Sequence, residues 1–252
     1  MSAIETWWDA GTRWIRFDRP DKLNALTVDE LRAVTDLLSG GAEEPEAVVF
    51  TGTGERAFSA GMHVDSFVDL DPDGARALIT AVRDCVAAAR TAPCPTVAEV
   101  GGYCLGAAFE LALACDVRVV AEHAAFGLPE IRVGVPSVVD AALLQQHVGL
   151  GKAKEMILTG EVYPVAALPG LAGELVPAAE LRAATRRMLA RLTGHSKAAV
   201  AAQKRLFETW QNTSLAEGIE ASVEEFAAVF ADPGTARAVQ ARRAHLTRSG
   251  EE

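Results

Sequence analysis

Cysteine is scarce in this sequence: its 252 residues include four, Cys85, Cys94, Cys104 and Cys115. No two have C-x-x-C spacing and all sit in apolar segments, which suits buried reduced thiols rather than a disulfide framework or a zinc site. Reduced thiols point to the cytoplasm. Long apolar runs are missing too. None reaches the length of a membrane span, and Met1 to Arg19, with Glu5, Asp9 and Arg13, holds no apolar stretch of the kind that directs export. A soluble protein without a membrane anchor is expected. Positive charge is also short, with 24 Lys and Arg against 34 Asp and Glu for a formal charge of −10. That balance argues against nucleic acid, whose phosphates are bound by clustered cations. A small anionic ligand needs fewer donors, and Arg19 and Lys22 stand close together in Arg19-Pro20-Asp21-Lys22. His123, His147, His195 and His245 lack metal-ligand spacing, so no metal site is expected.

Apolar surface, by contrast, is plentiful. Half of the residues are hydrophobic, enough to bury one large core without staples. Strand-like runs at Thr6 to Trp8 and Arg13 to Phe17 flank Asp9-Ala10-Gly11-Thr12 and predict a hairpin. Thr27 and Glu30 have capping-box spacing ahead of Leu31, Val34, Leu37 and Leu38 at helical period. Buried strands are expected at Ala47 to Thr51, Pro95 to Val100 and Val117 to Ala121, with a helix at Pro72 to Ala92. From Ser137 onwards the pattern is almost entirely helical: Ser137 to Val148, Gly151 to Thr159, Ala178 to Leu192, Ser196 to Trp210, and a helix opened by the Ser214 and Glu217 capping box that runs to Phe230. An α/β core over residues 1–193 followed by a helical part over 194–252 is expected, divided at Thr193-Gly194-His195.

Three segments carry chemistry. Phe58-Ser59-Ala60-Gly61-Met62-His63 places small residues after a buried strand, either as a tight turn or where a ligand approaches free backbone N–H groups. The neighbouring Gly52-Thr53-Gly54-Glu55-Arg56-Ala57 mimics a dinucleotide fingerprint, but Ala57 to Met62 is too short and turn-rich to supply the helix that motif requires. In Gly101 to Asp116, small residues lead into a helix apolar on every face, interrupted by Glu110 alone. Desolvation raises the pKa of a buried carboxylate, as a general acid or base near neutral pH requires; a structural glutamate paired with an arginine or capping donors is the competing possibility. Free N–H groups at that helix start form an anion site, with the Ala107 N–H the expected donor. Ala125-Phe126-Gly127-Leu128-Pro129-Glu130-Ile131 then sets a second single carboxylate, Glu130, behind a proline that fixes its approach.

Arg19-Pro20-Asp21-Lys22-Leu23-Asn24-Ala25-Leu26, Ala57-Phe58-Ser59-Ala60-Gly61, Gly102-Tyr103-Cys104-Leu105-Gly106 and Phe126-Gly127-Leu128-Pro129-Glu130, in that order, resemble the motifs of the crotonase, or enoyl-CoA hydratase/isomerase, superfamily. The resemblance runs from Arg16 to the C-terminal helices. It implies an α/β fold with a crotonase-type ββα spiral core and a C-terminal helical part that builds homotrimers or dimers of trimers. It also implies an acyl-CoA thioester substrate, coenzyme A arriving as part of that substrate and no separate cofactor. Backbone N–H groups of Met62 and Ala107 would form an oxyanion hole beside catalytic Glu110 and Glu130. Contacts to CoA or substrate are implied for Lys22, Leu23, Ala25, Ala60, Gly61, His63, Val64 and Gly106. In the family's hydratases the glutamate matching Glu110 activates water for addition at Cβ, and the one matching Glu130 exchanges a proton at Cα. Two carboxylates favour a 2-enoyl-CoA hydratase over isomerisation, decarboxylation or C–C cleavage on the same fold, and over a non-catalytic acyl-CoA-binding subunit.

The chain departs from the family pattern in places. Gly134-Val135-Pro136-Ser137-Val138-Val139-Asp140 replaces a glycine-rich segment, so that a position which helps place water is Ser137. Met62-His63 stands where a small residue and aspartate are common, and Ala107-Ala108 replaces two glycines. His63 is either a surface or backbone-capping imidazole or a group near the CoA path. Val239 replaces the usual phenylalanine of the adenine-facing helix, with Arg242 and Arg243 as candidate phosphate contacts.

Overall fold

The computed structural model describes residues 3–40 and 43–249. Its first strands, β1 (Ile4–Asp9) and β2 (Thr12–Phe17), pair antiparallel around Ala10-Gly11. Both turn residues have positive φ, 47° and 77°, which lets the turn's twist match that of its strands. α1 (Val28–Ser39) opens on the expected capping box: the Glu30 amide donates to Thr27 Oγ1 and the Thr27 amide donates to Glu30 Oε2.

Three repeats of two strands and a helix follow. The first is β3 (Ala47–Gly52), β4 (Ala57–Ser59) and α2 (Pro72–Thr91); the second is β5 (Thr96–Val100), β6 (Tyr103–Leu105) and α3 (Ala107–Ala114). The third is β7 (Val117–Ala121), β8 (Ala125–Gly127) and, after 3-10 turns at Pro129–Val133 and Val139–Leu143, α4 (Leu144–Val148). The chain continues through α5 (Leu150–Thr159), β9 (Val162–Pro164), β10 (Glu174–Val176), α6 (Leu181–Leu192), α7 (Lys197–Asn212), α8 (Leu215–Val229) and α9 (Pro233–Ser249). First strands of the repeats join a six-stranded sheet of order β1-β2-β3-β5-β7-β10, and second strands join a sheet of order β4-β6-β8-β9. Repeat pairs with repeat in parallel in both sheets. Each unit therefore advances the chain by one strand in each sheet, which is the ββα spiral.

Two strands correct the helical expectation after Ser137. β9 pairs antiparallel with β8, and β10 pairs parallel with β7. Three residues are too few to show a period of their own; such strands form because an open sheet edge offers partners for their backbone groups. Residues 178–180 likewise form a 3-10 turn ahead of α6.

The six-stranded sheet is covered on both faces, which is why its central strands β3, β5 and β7 are almost wholly buried and mostly apolar. Val48 and Phe50 of β3 join the main core with Phe17, Val82 and Phe109, while Ala47 and Val49 join a second cluster with Trp14, Val97 and Met188. All four cysteines are buried and free. Buried Arg118 donates to the carbonyls of Ala112, Leu113 and Cys115, tying down the C-terminal end of α3. Lys204 fastens α7 to the core through Asp116 at 2.6 Å. No described helix is long and apolar enough to cross a membrane.

Candidate active site

The loop ahead of α1 is a hydrogen-bonded bracket. Buried Asn24, at φ 57°, donates from Nδ2 to the carbonyls of Thr53 and Ala57 and accepts the Arg19 amide on Oδ1. The Arg19 guanidinium is bound to Glu30 and to the Ala25 carbonyl. This corrects its expected role as an anion donor, because a buried carboxylate already neutralises its charge. Lys22 stays exposed on the same loop.

The bracket edges the segment 60–63, where the hydrogen-bond pattern singles out one amide. Ala60 N–H donates to the Leu23 carbonyl, Gly61 N–H to Ser59 Oγ at 3.1 Å, and His63 N–H to the Leu26 carbonyl. Among the described residues the Met62 N–H has no acceptor. A second amide is left over where β6 enters α3. Gly106 N–H donates to the Gly127 carbonyl, and the Phe109 and Glu110 amides return to the Gly106 carbonyl. Ala107 opens α3, so its N–H is one that no carbonyl of the helix can reach. The two amides lie in neighbouring segments: a Cβ on Gly61, at φ 82°, would fall 2.6 Å from the Leu105 carbonyl oxygen and 3.1 Å from the Ala107 nitrogen. Only glycine permits that approach.

Both glutamates reach the same region. Glu110, in the first turn of α3, is 4% exposed and has no ion-pair partner among the described residues, so the arginine-paired alternative does not apply. Burial, reinforced by the Glu130 and Asp140 charges, pushes its pKa up to about 9 against a backbone hydrogen bond at Val138. Glu130 sits on the Pro129–Val133 turn just past β8. Its Oε2 accepts a 2.8 Å hydrogen bond from Ser137 Oγ. Burial raises its pKa as well, opposed by hydrogen bonds from its own backbone and from Ser137. At neutral pH such a pair holds a proton on Glu110 and titrates as a unit.

Glu110, Glu130, Met62 and Ala107 all line one cavity of about 290 Å³, together with Ala60, Val64 and Gly106. The remaining wall is largely apolar, with Phe67, Leu78, Ile79 and Val82 on one side and Val135, Pro136 and Val138 on the other. Gly61 stands in sequence between the lining residues Ala60 and Met62, and Lys22, Leu23 and Ala25 lie outside the lining on the bracket. His63 caps backbone: its Nδ1 accepts the Asp65 amide at 3.3 Å at the head of the 3-10 turn Val64–Phe67. A larger cavity of about 600 Å³, walled by α1, α2 and residues 192–201, contains none of these residues. Val239 is exposed on α9, and the Arg242 side chain lies outside the described residues.

Two residues that shape the site were not among those expected from the sequence. Ser59, two positions before Gly61, carries the local signal of a serine turn. Arg90, which meets Asp140 from 50 residues away at 3.1 Å, carries none.

Residues 9–245 match the family described as Enoyl-CoA hydratase/isomerase. A protein of Mycobacterium tuberculosis named as a probable enoyl-CoA hydratase is 34% identical over 223 residues, covering 86% of this chain and 85% of its own. The crotonyl-CoA hydratase of Syntrophomonas wolfei is 28% identical over 219 residues, covering 85% and 84%. The crystal structure of an enoyl-CoA hydratase from Mycobacterium smegmatis has a TM-score of 0.90 at 26% identity, over 97% of both chains. With its ββα spiral and its match across nearly the whole length, the chain belongs to the enoyl-CoA hydratase/isomerase family, the crotonase superfamily.

Proposed function

We propose that this protein is a 2-enoyl-CoA hydratase. The observation that carries the proposal is the convergence of two carboxyl groups and two unpaired backbone amides on one apolar cavity. Relatives named as enoyl-CoA and crotonyl-CoA hydratases support it.

In this mechanism the thioester oxygen lies between the Met62 and Ala107 N–H groups, which form the oxyanion hole. One carboxylate takes a proton from water as the water oxygen bonds to Cβ. The π electrons move onto the carbonyl oxygen, and the two amides stabilise the enolate; one such donor is worth about 3 kcal/mol. The other carboxyl gives its proton to Cα, leaving the 3-hydroxyacyl thioester. The proton count on the pair is unchanged, one carboxyl having gained a proton from water and the other having given its own to Cα. By the family's roles Glu110 is the base toward water and Glu130 the acid toward Cα. Burial favours the proton on Glu110, the form that runs the reverse step, in which Glu130 takes the Cα proton and Glu110 protonates the departing hydroxyl. Exchange between the two forms belongs to every turnover. Coenzyme A enters and leaves with the acyl group, and its contacts with Lys22, Leu23 and Ala25 are part of the same proposal. So is assembly into trimers, supported by the exposed row Leu215, Ile219, Val223 and Phe226 along α8, continued by Phe230 at its C-cap, and measurable by light scattering.

The test is a chain-length panel of 2-enoyl-CoA thioesters followed by absorbance of the conjugated thioester and by product mass. Lost absorbance with the mass of one added water supports hydration. A moved double bond at constant mass, loss of carbon dioxide or C–C cleavage assigns another reaction of the family. A panel left untouched sinks the proposal.

A further inference from the structure

The turn that follows Glu130 folds back over both carboxyls. Ser137 Oγ donates to Glu130 Oε2 at 2.8 Å, and the next residue, Val138, places its backbone against Glu110. Val139 sits at φ 52°, a conformation that a β-branched side chain adopts only when its surroundings enforce it. An ion-pair chain is adjacent. Asp140 accepts from Arg90 Nε at 3.1 Å, and Arg90 Nη1 in turn reaches Glu208 Oε2 on α7 at 2.6 Å. Neither Asp140 nor Arg90 is freely exposed, with side chains 14% and 26% accessible, so this chain of ion pairs is partly shielded from water.

We propose that Ser137 is a positioning residue for Glu130, presented by a strained turn that the Asp140–Arg90–Glu208 chain holds in place. The kinetic part of this proposal rests on the hydratase assignment. A glycine-rich segment has no hydroxyl to offer at this position. Here the hydroxyl selects one orientation of the Glu130 carboxyl and, as a donor, favours its charged form. Among the charged groups nearby, Glu130 and Asp140 of the 139–143 turn both act on Glu110 of α3, and Arg90 of α2 is paired to Asp140. Arg132, on Glu130's own turn, donates to the Thr159 carbonyl instead. Ser137 is the one side-chain donor to Glu130 among the described residues, so its loss makes the carboxyl pair bind its proton more tightly.

Two variants test this: Ser137→Ala removes the donor and Ser137→Thr keeps it. For Ser137→Ala the expected kcat is about tenfold lower with KM within about twofold, and the acid limb of kcat/KM moves up by about one pH unit. Ser137→Thr is expected to bring the limb back. A purely structural role would lower the melting temperature and the rate without moving the limb, and that result overturns the proposal. An Ala profile that superimposes on wild type overturns it equally. Infrared titration of the protonated-carboxyl band needs no turnover: the component absent from Glu130→Gln should titrate about one unit higher in Ser137→Ala. If wild-type protein acts on no thioester, the hydratase assignment fails, and the infrared titration alone decides the role of Ser137.

Discussion

Glu130 Oε1 lies 2.7 Å from the point at which a side chain on Gly106 would begin. The carboxyl oxygen occupies the space that every other amino acid would fill at position 106, and Gly106 itself has φ 54°, which L residues rarely adopt. Gly106→Ala is therefore expected to displace Glu130 and strain the entry into α3. We expect a rate loss of about a hundredfold and a stability loss of about 1–3 kcal/mol. Steady-state kinetics and urea unfolding measure the two, and a variant that keeps most of its activity would mean that Glu130 does not work from this position.

Glu110→Gln and Glu130→Gln preserve shape and remove proton transfer. Each is expected to lower kcat about 10²- to 10⁴-fold while leaving thioester affinity within a few-fold, because neither carboxyl is asked to hold the CoA moiety. Calorimetric binding beside turnover separates the two effects. If affinity collapses with the rate, the carboxyls serve binding instead.

Glu110 also makes stability depend on pH. Its carboxyl holds a proton in the folded protein up to about pH 9, whereas the unfolded chain releases it near the ordinary glutamate value of 4.5. Across that window the folded state binds more protons, so this group's contribution to stability falls as pH rises and levels off above the folded value. Glu110→Gln carries no such dependence. The melting temperature of the variant minus that of wild type should therefore grow from about pH 5 to about pH 9 in scanning calorimetry. A constant difference would show that Glu110 is ionised throughout.

Met62 offers the cavity two separable things, a backbone N–H and a flexible side chain on the wall. Met62→Ala keeps the first and removes the second. Longer or branched acyl chains should gain in kcat/KM relative to short ones by about tenfold, with kcat on the best substrate within about threefold of wild type. A general collapse of kcat across the panel would place the thioether itself in the chemistry.

The amino-acid sequence by itself determined the elements whose causes lie a few residues apart. The Ala10-Gly11 hairpin, the Thr27–Glu30 and Ser214–Glu217 capping boxes, three buried strands and the glutamates isolated among apolar neighbours all depend on local spacing or period. The motif order was enough to point to the family, because each motif is short and contiguous. Tertiary structure alone decided which groups meet. The Met62 N–H is left over only because its neighbours find acceptors on Leu23, Ser59 and Leu26, a fact of chain crossing rather than of composition. Arg19 looked available for an anion until Glu30, brought round by α1, neutralised it. β9 and β10 exist because sheet edges were open to them, and Asp140 is held by an arginine 50 positions away. Hydrogen bonds and ion pairs act over a few ångströms in space whatever their separation along the chain, so these partners carry no local signal.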